Sequence, residues 1–276
     1  MYLGKEDAML NFLYNTVPGR VILRPLSGRK VSKAVGRFMD SKASKLLIKP
    51  FVKKNNIDLE EFYSDDFKCF NDCFTRKIHE ELRPVDRTPE NLIAPCDGYL
   101  SAFHIDTDMV MPAKQSWYTI GSLLGDRKKA ARFEDGTCLV FRLTPEDYHR
   151  YIYFDSGSKT DNHFISGRLH TVRPVALKNL PVYTENCREY TIMETKNFGT
   201  VAQIEVGAML VGKIVNHQQA GTFMRGHENG MFMYGGSTII LLFEKDKVEL
   251  PKQIMQATWR EKEIPVQMGQ VIGSAK

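Results

Sequence analysis

No apolar run in this chain, Thr238–Phe243 included, approaches the ~20 residues that a helix needs to cross a bilayer. Membrane contact is therefore expected to be peripheral. The five cysteines, Cys69, Cys73, Cys96, Cys138 and Cys187, form neither a CxxC pair nor a Cys/His ladder. Their odd number argues against a disulfide framework and for a reducing compartment. Cys69 and Cys73 stand one helical turn apart but lack the second pair of a structural zinc site, so buried free thiols and no metal are expected. The opening residues MYLGKEDAML have neither a basic segment followed by an apolar one nor a small-residue cleavage site, so no secretory signal is expected. A lipase-type GxSxG elbow is missing because Ile239 stands where its second glycine belongs. GSLLGDRKK has neither the spacing nor the ending of a P-loop. Internal repeats, low-complexity tracts and long linkers are absent as well.

Acidic residues are scarce in one place. Residues 1–55 carry twelve Lys or Arg and only Glu6, Asp7 and Asp40, a local charge of +9 inside a net charge of +5. On a helix, Lys42, Lys45, Lys49 and Lys53 would share one side, with Ala43, Leu47 and Phe51 on the other and Pro50 bending or interrupting the run. Such a segment suits an anionic membrane surface and equally suits an ordinary solvated helix packed on a core. No stacking aromatics alternate with the basic residues as in a nucleic-acid-binding motif, so nucleic acid is not an expected partner.

What is present is enough for a sizeable core: 276 residues, 42% of them apolar and 26% charged. Phe67, Phe70, Phe74 and Ile78 recur near helical spacing, with Asp66 placed to cap, which predicts an amphipathic helix. From about residue 92 the texture changes to short β-branched and aromatic runs such as CLVFRL, VAQIEV and STIILLF, broken by Gly, Pro and Asp. The fold class expected is α+β: a mainly β catalytic body over 67–276 behind a basic, helical, membrane-proximal region over 1–66.

Three segments can carry chemistry. In TPEDYHRY, Thr144 is placed to cap a helical turn with Pro145 at its first position and Asp147 at its third, which holds His149 at a rigid corner. A histidine there can serve as a base near neutral pH, although a lone histidine is more often structural. In APCDGYL, Asp97 precedes Gly98 in a turn that can aim a carboxylate at an imidazole or simply close a hairpin. In FMYGGSTIILLF, Gly235 and Gly236 precede Ser237 at the mouth of the most apolar strand. The glycine pair either makes a tight turn or permits the strained backbone that an internal attack requires. The other histidines lack metal-ligand spacing, and Glu205 in QIEVGAM reads as buried and paired or as functional.

In this order, FKCFNDCFTRK, PCDG, PEDYHRY, EVGAMLVG and YGGSTIILLF resemble the phosphatidylserine decarboxylase proenzyme family, in particular its clostridial-type branch, from about Phe67 to Phe243. The resemblance implies that Ser237 attacks the Gly236 carbonyl, and that the chain then splits into a β chain, 1–236, and an α chain, 237–276, which stay associated. Ser237 would become a covalent pyruvoyl cofactor, which condenses with the substrate amine as a Schiff base and takes up the electrons left as carbon dioxide departs. The family's catalytic Asp carries over to Asp97 and the first histidine of its processing motif to His149, with Asp97 expected to hold the His149 ring. Related sequences often carry a second histidine three positions on, where this chain has Ile152; an acid–base role at that position would imply slow or absent processing, and His149 is expected to suffice because it keeps the capped-turn setting. The implied substrate is phosphatidylserine, converted to phosphatidylethanolamine on the cytoplasmic face of the cell membrane, with a homo-oligomer left open. A soluble amino acid as substrate, or an uncleaved lipid-binding protein, are the alternatives.

Overall fold

The computed structural model describes residues 5–106, 110–113, 116–209, 213–234 and 237–276. Three helices lead the chain: α1 (Lys5–Asn15), α2 (Val17–Leu26) and α3 (Arg29–Met39). Thr16 caps α2 by accepting the Gly19 N–H at 3.0 Å, and Pro18 sits in the first turn, where no N–H is required. Leu10, Leu13, Tyr14 and Leu23 of these helices are buried against the β body.

The predicted basic helix over 42–53 takes another form. A 3-10 turn, Lys42–Leu47, precedes a short α4 (Ile48–Lys54). The tighter winding buries Ser44 and Ile48 and leaves Leu47 exposed, so the inward stripe differs from the one that 3.6-residue periodicity predicts. Pro50 lies in the first turn of α4, a position where it is tolerated. The helix predicted from Phe67 to Ile78 is likewise shorter, reaching only from Phe70 to Phe74 (α5). Cys69 is extended and ends it on one side, Ile78 bridges Phe62 beyond the other, and Asp66 pairs with Lys45 at 3.0 Å instead of capping. Phe67, Phe70 and Phe74 still share one cluster, with Met39 and Ile48.

The body is mainly β and the chain is α+β, as the sequence predicts. Its chemistry-bearing strands are β1 (Gly98–His104), β2 (Thr137–Leu143), β3 (Arg150–Ile152), β4 (Gly157–Lys159), β5 (His163–Ile165), β6 (Arg188–Thr195), β7 (Thr200–Gly207), β8 (Ile214–Asn216), β9 (Gly221–Phe223), β10 (Glu228–Phe232), β11 (Ser237–Phe243) and β12 (Ile264–Val266). Among the described residues, nine form one antiparallel sheet in the order β9-β4-β6-β7-β11-β2-β1-β12, with β5 beside β6, while β8-β10-β3 make a smaller sheet. Strand β11 is central and both its faces are covered, which is why its run is continuously apolar. Ile239, Leu241 and Phe243 serve one core, and Ile240 and Leu242 the other. Each is fully buried, a contribution of about 1.5–3 kcal/mol per side chain before entropy is subtracted.

Candidate active site

The sheet register brings the three sequence-predicted segments to one end. Ser237, the first residue of β11, stands opposite Leu143 on β2 and Gly207 on β7. Tyr99 of β1 pairs with Arg142, so Gly98 and Asp97 run off the same end of the sheet. Gly98 has φ +139, and a Cβ there would lie 2.7 Å from the Arg142 carbonyl oxygen, so glycine is what lets β1 begin this close to β2. Thr144 follows Leu143 directly, so the TPEDYH corner leaves β2 next to the position occupied by Ser237.

That corner is a turn rather than a helical cap. The Asp147 carboxylate accepts both the Thr144 N–H and its hydroxyl at 2.6 Å, and the Asp147 N–H returns to the Thr144 carbonyl at 3.0 Å. His149 leaves this turn completely buried, its ring against Phe74 at a centroid distance of 4.0 Å. Nδ1 is 2.8 Å from the Asp147 carbonyl oxygen. A carbonyl can only accept, so Nδ1 carries the proton and Nε2 presents its lone pair. Nε2 has no hydrogen-bond partner among the described residues. Burial, then the nearby Arg76 charge, pushes the imidazole down to about 3, so the ring is neutral across the physiological range.

Asp97 is placed differently from the sequence expectation. Its carboxylate receives Arg83 Nε at 2.9 Å and Nη2 at 2.7 Å, and Oδ1 also takes the Met268 N–H at 2.8 Å. The expected bond to His149 is therefore replaced: Arg83 satisfies the buried carboxylate and the Asp147 carbonyl orients the ring. A buried carboxylate requires a geometry-matched cation, and a guanidinium fork supplies two parallel bonds where an imidazole would supply one. Ile152 is buried beside this pair, its N–H on the Pro95 carbonyl at 2.8 Å. With Arg83, Tyr148, His227 and Met268 it lines a cavity of about 680 Å³.

The chain approaching Ser237 is held at successive residues. Phe232 N–H donates to the His149 carbonyl at 2.9 Å and Met233 N–H to that of Lys213 at 3.2 Å, while Tyr234 N–H donates to Asn71 Oδ1 at 3.0 Å. The Tyr234 ring packs edge-on against Phe70 and Phe74 at 4.8 and 5.3 Å. Gly235 and Gly236, with the expected scissile carbonyl, lie outside the described residues, as does the Ser237 hydroxyl. Next to Tyr234, a cavity of about 300 Å³ is lined by Lys33 and Arg37 of α3 together with Lys213 and Met233. The N-terminal helices α1, α2 and α3 expose Met9, Phe12, Val21, Ile22 and Phe38 among their basic residues. No helix among the described residues is long and apolar enough to cross a membrane.

Sequence reasoning missed Arg83, Asn71 and Arg76. Asn71 and Arg76 sit in the FKCFNDCFTRKI segment, where aromatic spacing dominates the reading, and Arg83 sits in the charged stretch after it; only the fold brings them to the site. Glu205 is buried, bonded by Gln203 at 2.6 Å, and pushed up to about 7, chiefly by burial. The five cysteines are free thiols.

The chain is similar in sequence to known proteins over most of its length. A family model described as phosphatidylserine decarboxylase matches residues 70–274. The chain is 44% identical over 269 residues to phosphatidylserine decarboxylase proenzyme 2 of Clostridium acetobutylicum, covering 97% of this chain and 92% of that protein. It is 42% identical over 272 residues to the phosphatidylserine decarboxylase proenzyme of Ruminiclostridium cellulolyticum, with 96% and 91% covered.

Proposed function

Because the chain belongs to the phosphatidylserine decarboxylase family, we propose that it is a self-processing phosphatidylserine decarboxylase in which Ser237 attacks the Gly236 carbonyl and His149 takes the hydroxyl proton. The observation that supports this most is the buried Nε2 of His149, unpartnered among the described residues, at a corner adjoining the strand end where Ser237 begins β11. A buried acceptor without a donor costs free energy, and the hydroxyl of a nucleophile is the donor this reading assigns to it.

In the first step the Ser237 oxygen displaces the amide nitrogen and forms an ester. Elimination then expels residues 1–236 as a carboxylate, leaving a dehydroalanine at position 237, and water replaces its nitrogen with release of ammonia. The resulting pyruvoyl group supplies an electrophilic carbonyl and an electron sink for a departing carboxylate. Asp97 is bonded by Arg83 and the Met268 N–H instead of the ring, and its part is to shape this end of the sheet around His149. The two chains stay together because β11, which begins the α chain, is paired on both sides by β2 and β7 of the β chain.

Phosphatidylserine is reached from the membrane surface, on the cytoplasmic face in this reading. The apolar residues exposed on the N-terminal helices enter the headgroup boundary, and each nearby Lys or Arg contributes about 1 kcal/mol of attraction to anionic lipid. Lys33, Arg37 and Lys213 offer the lipid phosphodiester a cationic cavity beside Tyr234. Intact-mass measurement of the purified protein, paired with carbon dioxide release from phosphatidylserine vesicles, tests the assignment. The expected result is a break between Gly236 and Ser237, a pyruvoyl mass on the smaller chain, and activity on the vesicles. An active protein with an unbroken chain would refute it.

A further inference from the structure

Arg76 is a buried cation that, among the described residues, bonds to no carboxylate, although Asp147 and Asp97 act on its charge through space. Its residue is 3% exposed. Among the described residues its bonds go only to carbonyl oxygens: Nη1 to Cys73 at 3.3 Å and Nη2 to Glu146 at 3.0 Å, with the Asp147 carbonyl oxygen at 3.5 Å. Nε has no partner, and the guanidinium lies over the Phe62 ring at 4.5 Å. Burying an unpaired charge costs several kcal/mol in general, so a residue that only stapled two segments together would serve as well or better if it were neutral.

Two of the carbonyls that Arg76 holds, those of Glu146 and Asp147, belong to the turn that orients His149. One of them, that of Asp147, is the acceptor of the imidazole Nδ1–H. We propose that Arg76 is the positioning residue for His149: it clamps the turn whose carbonyl fixes the ring's tautomer, and its charge opposes a second positive charge on the ring, so that Nε2 stays an open acceptor. The inference rests on the reading of His149 as the base for Ser237.

The other titratable groups on the elements packed around the ring are, among the described residues, Cys73 beside Phe74 in the chain and Tyr234 packed against it, Asp147, Tyr148 and Arg150 in its own segment, and Asp97 ahead of β1. Of these, Asp147 acts on the ring through its backbone carbonyl, and the charge that bears on the imidazole is that of Arg76. Both actions of Arg76 favour the same state, a neutral ring protonated on Nδ1. A base in that state takes the serine proton at Nε2 without first losing one of its own.

The test uses the full chain carrying Ser237→Ala, so that the precursor persists, with 15N-labelled histidine. The nitrogen shifts report tautomer and protonation of His149 between about pH 4 and 8, and the His149→Gln chain assigns the signal. In the parent, the ring should remain neutral and Nδ1-protonated through that range. Adding Arg76→Met should raise the protonation midpoint by about one pH unit or more, a tenfold gain in proton affinity. Arg76→Lys keeps the charge and should leave the midpoint low. In chains retaining Ser237, Arg76→Lys should slow self-cleavage at every pH, because the fork onto the turn is lost, whereas Arg76→Met should add an acid limb to the profile.

An unchanged midpoint in Arg76→Met, or a ring protonated on Nε2 in the parent, would overturn the inference. If Arg76→Met fails to fold, Arg76→Lys still decides: a midpoint raised as far as one pH unit would show that the charge is not what holds it down. Wild-type self-cleavage by His149→Gln would sink the reading of His149 as base, a failure separate from any change in the titration.

Discussion

Asp97 and His149 lie at the same end of the sheet and both are buried, yet their surroundings differ in kind. Asp97 is saturated: Arg83 and the Met268 N–H occupy both of its oxygens. His149 is short of one partner among the described residues, with Nδ1 engaged and Nε2 open. A saturated buried ion fixes geometry and has little capacity left to take part in proton transfer. An orphaned acceptor is poorly explained as a structural element and well explained as a reagent. The contrast assigns Asp97 to shaping the site and His149 to working in it.

The largest effects test the working half. Ser237→Ala should yield one unbroken chain by intact mass, and any break between residues 236 and 237 in that variant would remove Ser237 from the mechanism. His149→Gln keeps a polar side chain of similar reach but lacks a base, and the time course of self-cleavage should slow by about 10²–10⁴-fold, the usual worth of a positioned base. A rate within a few-fold of wild type would erase the distinction drawn between the two residues.

The next effect tests the shaping half. Arg83→Met leaves Asp97 as a buried, uncompensated carboxylate, and losing one partner of such a pair typically costs about 3–5 kcal/mol. In the Ser237→Ala background this should appear as a large drop in the urea midpoint, larger than the drop caused by His149→Gln. Equal midpoints in the two variants would show that saturation at Asp97 carries no structural weight.

The contrast also marks what the sequence can and cannot reveal. The mainly β body and the apolar strand at Thr238–Phe243 follow from patterns that are local in the chain, short β-branched and aromatic runs broken by turn residues, whereas the joint role of the Asp97, His149 and Ser237 segments is implied by the family resemblance. What failed was also local in appearance but decided elsewhere. Asp97 looked like a partner for an imidazole because both side chains suit each other chemically, and nothing in the sequence shows that Arg83, fourteen residues earlier, reaches it first. The Phe67–Ile78 helix is cut short because Cys69 is extended and Ile78 leaves to bridge Phe62, a tertiary contact that overrides aromatic spacing. The face of the 42–53 segment turned because a 3-10 stretch changes the angle per residue, and no composition signal distinguishes such a stretch from α-helix. Arg76 shows the limit most clearly, since a guanidinium in a run of charged residues reads as solvated until the fold places it inside.

The smallest predicted effect is a pH dependence of stability that separates His149 from the other buried groups. With its folded value near 3 and an unfolded value near 6.5, the native imidazole stays neutral while the unfolded one gains a proton as pH falls below about 6.5. The unfolded state then binds more protons, so this contribution to stability is present above pH 6.5 and is lost on acidification, at up to about 1.4 kcal/mol per pH unit. His170, lowered to about 4 by burial, acts in the same direction. Glu205 acts in the opposite direction: raised to about 7, its contribution is full below the unfolded carboxyl range and is lost as pH rises through 7. Comparing urea midpoints of Ser237→Ala with and without His149→Gln from pH 7 to 4.5 cancels His170 and Glu205, which both proteins share. The protein retaining His149 should lose ground steadily to the His149→Gln protein as the solution is acidified. Parallel curves would mean that His149 binds its proton as readily folded as unfolded, and that Nε2 is not the secluded lone pair on which its contrast with Asp97 depends.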